Sequence, residues 1–154
     1  MIAREQQWLQ DWLIREVGTS VNAESGRRHY PRTVRAESMI PKFLSRKAKR
    51  QHKAAEAARE AGHRQSALRL YETALRAFIE AQHNLFVESD WKRSLMQSAR
   101  ACMDEIIGLA AHSIERIDVP FGGANLPGLL HESRSDRPLL LYIPGMDGTK
   151  ETWH

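Results

Sequence analysis

The chain has 154 residues, of which 42% are apolar and 27% charged. This excludes wholesale disorder and leaves room for one ordinary domain, or a small domain plus a piece of another. Its 23 basic and 19 acidic residues give a net charge of +4, a mild excess that allows an acidic partner without demanding one. One cysteine, Cys102, excludes an intrachain disulfide, and no apolar run approaches the length of a membrane span.

Residues 3–17 are predicted to be helical, with Trp8, Leu9, Trp12 and Leu13 on one face and charges opposite. Glu5 and Asp11 fall where a secretory signal would carry its apolar core, so a soluble, cytoplasmic protein is expected. Residues 18–36 are polar, with Gly18, Gly26 and Pro31, and read as a loop or linker. Pro41 marks the start of a long helix running to about Ala61, where Gly62 breaks it. A second helix is predicted from about Arg64 to Phe86. A turn follows at Val87–Asp90, then a third helix from about Trp91 to Ala111.

The texture changes near Ser113. IERIDVP reads as a strand with Ile117 and Val119 on one face, and Gly122, Gly123 and Asn125 mark a turn. LPGLLH reads as a second strand, where Pro127 and Gly128 imply an edge or a bend. ESRSDRP is a loop. Leu139 to Ile143 are apolar without alternation, the pattern of a strand buried on both faces. PGMDG is a turn, and Thr149 is placed to cap a helix beginning at Lys150, with Glu151 in its first turn. The expected fold class is α+β: a helical bundle followed by the first strands of a sheet. Three regions follow: an N-terminal helix and loop (1–36), a helical domain (37–113) and a strand-bearing segment (114–154).

Four features carry candidate chemistry. In AGHRQSALRLYETAL, Gly62, Ala67, Tyr71, Ala74 and Leu75 have the spacing of a tetratricopeptide repeat. Only one copy is present, however, and an antiparallel helical hairpin would use the same residues. The run RKAKRQHK, Arg46 to Lys53, lacks interleaved aromatic residues and reads as a solvated helix face rather than a nucleic-acid site. The histidines at 29, 52, 63, 83, 112, 131 and 154 show no metal-ligand spacing, and Cys102 reads as a small core residue. No cofactor or metal is expected. In IPGMDGTKE, an apolar strand ending in a glycine turn is a common way to present backbone N–H groups to an anion, although a plain loop is the reading that spacing alone favours.

Together, IERIDVPFGG, LPGLL and the apolar strand ending in PGMDGTKE resemble the opening of the α/β-hydrolase fold. The likeness is to the branch with a helical domain ahead of the hydrolase core, which includes 2,6-dihydroxypseudooxynicotine hydrolase, fungal polyketide-shortening hydrolases and fermentation/respiration-switch-type esterases. AGHRQSALRLYETA and SARACMDEI are similar to that branch's helical domain, and the resemblance spans roughly residues 40–151. It implies a serine nucleophile on a Gly-x-Ser-x-Gly elbow, with a later acid and histidine, acting on an ester or on a carbon–carbon bond beside a carbonyl. It also implies that the turn after the third strand supplies an oxyanion-hole donor. Gly145 would permit the turn, the Met146 N–H would donate, and Asp147 would hold the loop.

The sequence departs from the family in one respect: it contains no Gly-x-Ser-x-Gly. The chain is therefore expected to be an N-terminal fragment carrying the cap and part of the oxyanion hole, inactive alone. A small-molecule carbonyl substrate is implied for the complete enzyme, with neither nucleic acid nor membrane as partner. Residues 139–143 are expected to be under-buried, and an exposed apolar edge would allow a homo-oligomer. The alternative function is a helical, tetratricopeptide-like module that binds a peptide or protein partner.

Overall fold

The computed structural model describes residues 12, 15–16, 19–22, 26–31, 33–132, 140–144 and 149–152. Its core is a trio of helices: α1 (Ile40–Glu60), α2 (Arg64–His83) and α3 (Asp90–Leu109). A long hairpin follows, of β3 (Ser113–Phe121) and β4 (Ala124–Glu132), so the layout is α+β as expected.

The helices form where sequence periodicity and termini agree. Pro41 sits in the first turn of α1, where a missing N–H costs nothing. At the other end Gly62 takes φ +76°, His63 N–H donates to Ala58 O at 2.8 Å and Gly62 N–H donates to Arg59 O at 3.0 Å. This left-handed cap satisfies the last carbonyls of α1 and turns the chain into α2. Ser89 caps α3, its hydroxyl accepting from Lys92 N–H at 3.1 Å, with Asp90 in the first turn beside it. The second helix ends at His83 rather than near Phe86, because Asn84 takes over as its cap and its Nδ2 donates to Glu80 O at 2.8 Å.

α2 is the central helix and packs against both neighbours. It buries Ala67, Tyr71, Ala74, Leu75 and Phe78, while α1 contributes Ile40, Leu44, Ala48 and Ala55, and α3 contributes Leu95, Ala99, Cys102, Met103 and Ile106. The small residues let backbones approach, and Tyr71, with no exposed surface, lies edge-on to His52 of α1 with ring centroids 5.5 Å apart. Two outer clasps reinforce the trio. Arg59 Nη1 donates to both carboxylate oxygens of Glu105, at 2.8 and 2.7 Å, and Arg64 donates to the carbonyls of Leu109 and Ala110.

The β3–β4 register runs from Ser113↔Glu132 to Phe121↔Ala124. Gly122 and Gly123 form the two-residue loop with φ of +56° and +83°, as a hairpin turn matching the strand twist requires. The face that packs inward differs from the one the apolar pattern singles out. Ile114 is buried, while Val119, of opposite parity, is 48% exposed. Alternation assigns two faces but does not say which one the preceding helix will cover.

Three further expectations are corrected. Within 18–36, read as loop, Thr19–Asn22 (β1) and Gly26–His29 (β2) pair antiparallel, Thr19 opposite His29. Thr19 and Val21 favour strand, and pairing satisfies the backbone whatever the polarity of the side chains, so polar composition concealed the hairpin. The third strand is also not formed: Leu140 to Ile143 carry no strand hydrogen bonding, and Leu140 is 88% exposed. A strand needs a neighbour to take its backbone groups, and the described residues supply none. The under-burial expected of this segment is observed. In place of a longer helix after Thr149, residues Lys150–Thr152 form a single 3-10 turn. Of the N-terminal helix, Trp12, Arg15 and Glu16 are helical, while Trp8, Leu9 and Leu13 lie outside the described residues.

Candidate functional site

The turn residues expected to carry an oxyanion hole, Gly145, Met146 and Asp147, lie outside the described residues. Their flanks do not. Pro144 is half-buried, and Glu151 is 1% exposed, ion-paired to Lys150 Nζ and packed where the 3-10 turn meets α2, α3 and β4. A fully buried carboxylate is costly unless paired, and Lys150, its neighbour in the same turn, supplies that pairing.

Beside it lies a cavity of about 460 Å³ between α3 and the hairpin, within the range of small-molecule sites. Arg100 and Asp104 contribute from α3, one helical turn apart. Arg116, Ile117 and Asp118 come from β3, Pro127 and Gly128 from β4, and Lys150 from the 3-10 turn. Arg116 spans the gap, its Nε and Nη2 donating to Asp104 Oδ1 at 3.0 and 2.7 Å and its Nη2 to Arg100 O at 3.3 Å. Ile117 lies so close over Gly128 that a Cβ there would meet its Cγ1 at 3.0 Å, so glycine holds that wall open.

Chemically, three cationic and two acidic side chains around an apolar floor can orient a polar small molecule. Among the described lining residues there is no serine, cysteine or histidine, and Asp104, one of the two carboxylates, is held by Arg116.

The remaining candidates separate clearly. Arg46, Lys47, Lys49, Arg50 and Lys53 are exposed around a buried Ala48, the distribution of a solvated helix face. Cys102 is fully buried, and burial, followed by the nearby carboxylates Glu105 and Glu56, pushes its thiol up to about 12. Burial likewise raises the Tyr71 phenol, with Glu105 adding to the effect, while the hydrogen bond to Glu105 raises the Arg59 guanidinium. None of these is poised as a nucleophile or base at neutral pH. Among the described residues no group of three or more His, Cys, Asp or Glu side chains is placed to hold a metal, and no helix is long and apolar enough to cross a membrane.

Two arrangements escape sequence reasoning. The Arg100–Asp104–Arg116 cluster joins positions on a helix and a strand. Its only sequence signal is the i,i+4 spacing of Arg100 and Asp104, which is commonplace on exposed helices. The other is His112 Nε2 lying 3.0 Å from His131 Nδ1, a contact made when the hairpin folds back on itself.

Compared with known proteins, the chain matches no family model and no curated sequence.

Proposed function

We propose that this chain is the front of an α/β-hydrolase-type serine hydrolase, contributing the helical cap and the turn that holds the oxyanion. The observation that carries the reading is the segment Leu140–Ile143. It is apolar without alternation, follows a helical trio and a β-hairpin, and leaves Leu140, Leu141 and Ile143 largely exposed, outside any strand among the described residues. A sheet supplied by further sequence would cover such a segment on both sides. The cavity between α3 and the hairpin supports the same reading, since it lies between the helices and the first strands and Lys150 forms part of its wall.

On this proposal a serine outside the chain attacks an ester or ketone carbonyl. The Met146 N–H would be one donor to the resulting oxyanion. Asp147 would hold the turn, and the chain by itself would not turn over substrate.

The test is to read the coding sequence past the His154 codon and to express its full frame. A Gly-x-Ser-x-Gly followed by an acid and a histidine, with fluorophosphonate labelling of that serine and hydrolysis of p-nitrophenyl esters, supports the proposal. A stop codon there, together with a stable folded monomer that does not label, overturns it. The helical-module reading then leads. It draws on the complete burial of Ala67, Tyr71, Ala74 and Leu75 in the α1–α2 hairpin, the packing that a repeat-like interaction module uses.

A further inference from the structure

The geometry points to a two-histidine site for a late first-row divalent cation, Ni2+ or Cu2+, formed by His112 and His131. It is independent of the hydrolase reading. His112 sits in the short connection from α3 to β3, and His131 lies near the end of β4, opposite Ile114 in the hairpin register. Nineteen positions separate them in sequence. The hairpin brings His112 Nε2 within 3.0 Å of His131 Nδ1, with the rings tilted by 32° and their centroids 5.2 Å apart.

Without a cation, one imidazole donates to the other, the direction depending on which tautomer each ring holds. The same spacing suits chelation. Two nitrogens 3.0 Å apart, each about 2.1 Å from one ion, subtend an angle of about 90°. That is the cis angle of square-planar and octahedral centres. A tetrahedral ion would need the nitrogens about 3.4 Å apart. Imidazole ligands at a cis angle suit Cu2+ and Ni2+ better than structural Zn2+.

Both facing nitrogens must then present lone pairs, which places the ring protons on His112 Nδ1 and His131 Nε2. Two neutral rings reach this state by a tautomer change together with a turn of the rings that aims both lone pairs at the ion, off the N···N line. His112 is exposed and His131 half-buried, so an ion has a path in from solvent. Among the described residues no third protein ligand joins them, so water fills the remaining positions and the ion exchanges freely. The bound ion would tie the α3–β3 connection to the end of β4.

The test is calorimetric titration of the untagged full chain with NiCl2, ZnCl2 and CuCl2 in imidazole-free buffer, repeated on His112→Ala, His131→Ala and His63→Ala. His63 is exposed and remote in sequence from both ligands, so it controls for single-histidine background. One saturable Ni2+ site is expected in the wild type and in His63→Ala, weakened by roughly 10²-fold when either chelating ring is lost. The unfolding midpoint should rise with Ni2+ in the wild type and not in His112→Ala. His112 is exposed, so its replacement tests the site without disturbing the core. Unchanged Ni2+ affinity in His112→Ala, or no saturable binding to the wild type, overturns the proposal. Tighter binding of Zn2+ than of Ni2+ overturns the cis geometry.

Discussion

Arg116 on β3 clamps Asp104 on α3, its Nε and Nη2 both donating to Oδ1 at 3.0 and 2.7 Å, and this pair forms the bridge across the cavity between helix and hairpin. Both side chains remain partly exposed, at 37% and 63%. Water and salt therefore screen the pair, and it should contribute about 0.2–1 kcal/mol to stability. A double-mutant cycle of Asp104→Ala and Arg116→Ala, read by urea unfolding, should give a coupling in that range that shrinks between low and high salt. A coupling above that range would mean that the pair is more desolvated than its exposure implies.

The contrast with Tyr71 is instructive, because Tyr71 is fully buried at the α1–α2 interface against His52. Tyr71→Ala removes an aromatic ring from a close-packed site lined by Ala67, Ala74 and Leu75. It should cost about 3–5 kcal/mol, enough to unfold a marginal domain. Arg69→Ala, exposed on the same helix, should change stability by no more than about 0.5 kcal/mol. Thermal and denaturant unfolding of the two variants measures this difference directly.

The helical trio was legible because its signals are local. Gly62, Pro41 and the apolar repeat through Ala67, Tyr71, Ala74 and Phe78 each act within a few residues, and each reports on the same hairpin. The β3–β4 turn was legible for the same reason, since Gly122-Gly123 is a strong hairpin signal. The failures depend on contacts between distant residues. Strand alternation could not say that the Ile114 face, not that of Val119, would meet α3. The β1–β2 pair has no apolar face to announce it. LLLYI reads as a strand from composition, yet strand formation is a property of a pair, and no partner lies among the described residues. The His112–His131 contact and the Arg116 bridge exist only once β3 turns back along α3, so no spacing within either element encodes them.

Cys102 offers a pH-dependent test of core packing. Its thiol is pushed up to about 12, chiefly by burial, against an ordinary value of 9.0. The folded state thus holds the proton over a range where the unfolded chain releases it. The stability this contributes is fully present below about pH 9 and is lost as pH rises toward 12, with a slope of up to about 1.4 kcal/mol per pH unit. Comparing wild type with Cys102→Ala isolates this from other groups that titrate in the same range. The difference in unfolding free energy between them should narrow as pH rises through that window. At pH 8 the native thiol should also resist a disulfide reagent that reacts at once in denaturant.

The exposed segment at 140–143 connects structure to the proposed function most directly. Leu140, Leu141 and Ile143 are 88%, 78% and 76% exposed. Each would gain about 1.5–3 kcal/mol on burial, so a sheet that accepts them gains several such contributions at once. In this chain alone they should bind a hydrophobic dye and drive concentration-dependent association, visible by sedimentation velocity. Leu141→Lys should weaken both effects while leaving the helical trio's unfolding unchanged, since the segment lies outside that core. In a longer product of the same frame, the same substitution should become strongly destabilising, because it would place an unpaired charge between the faces of a completed sheet. Equal tolerance of Leu141→Lys in both contexts would mean that the segment stays at the surface and is not an interior strand.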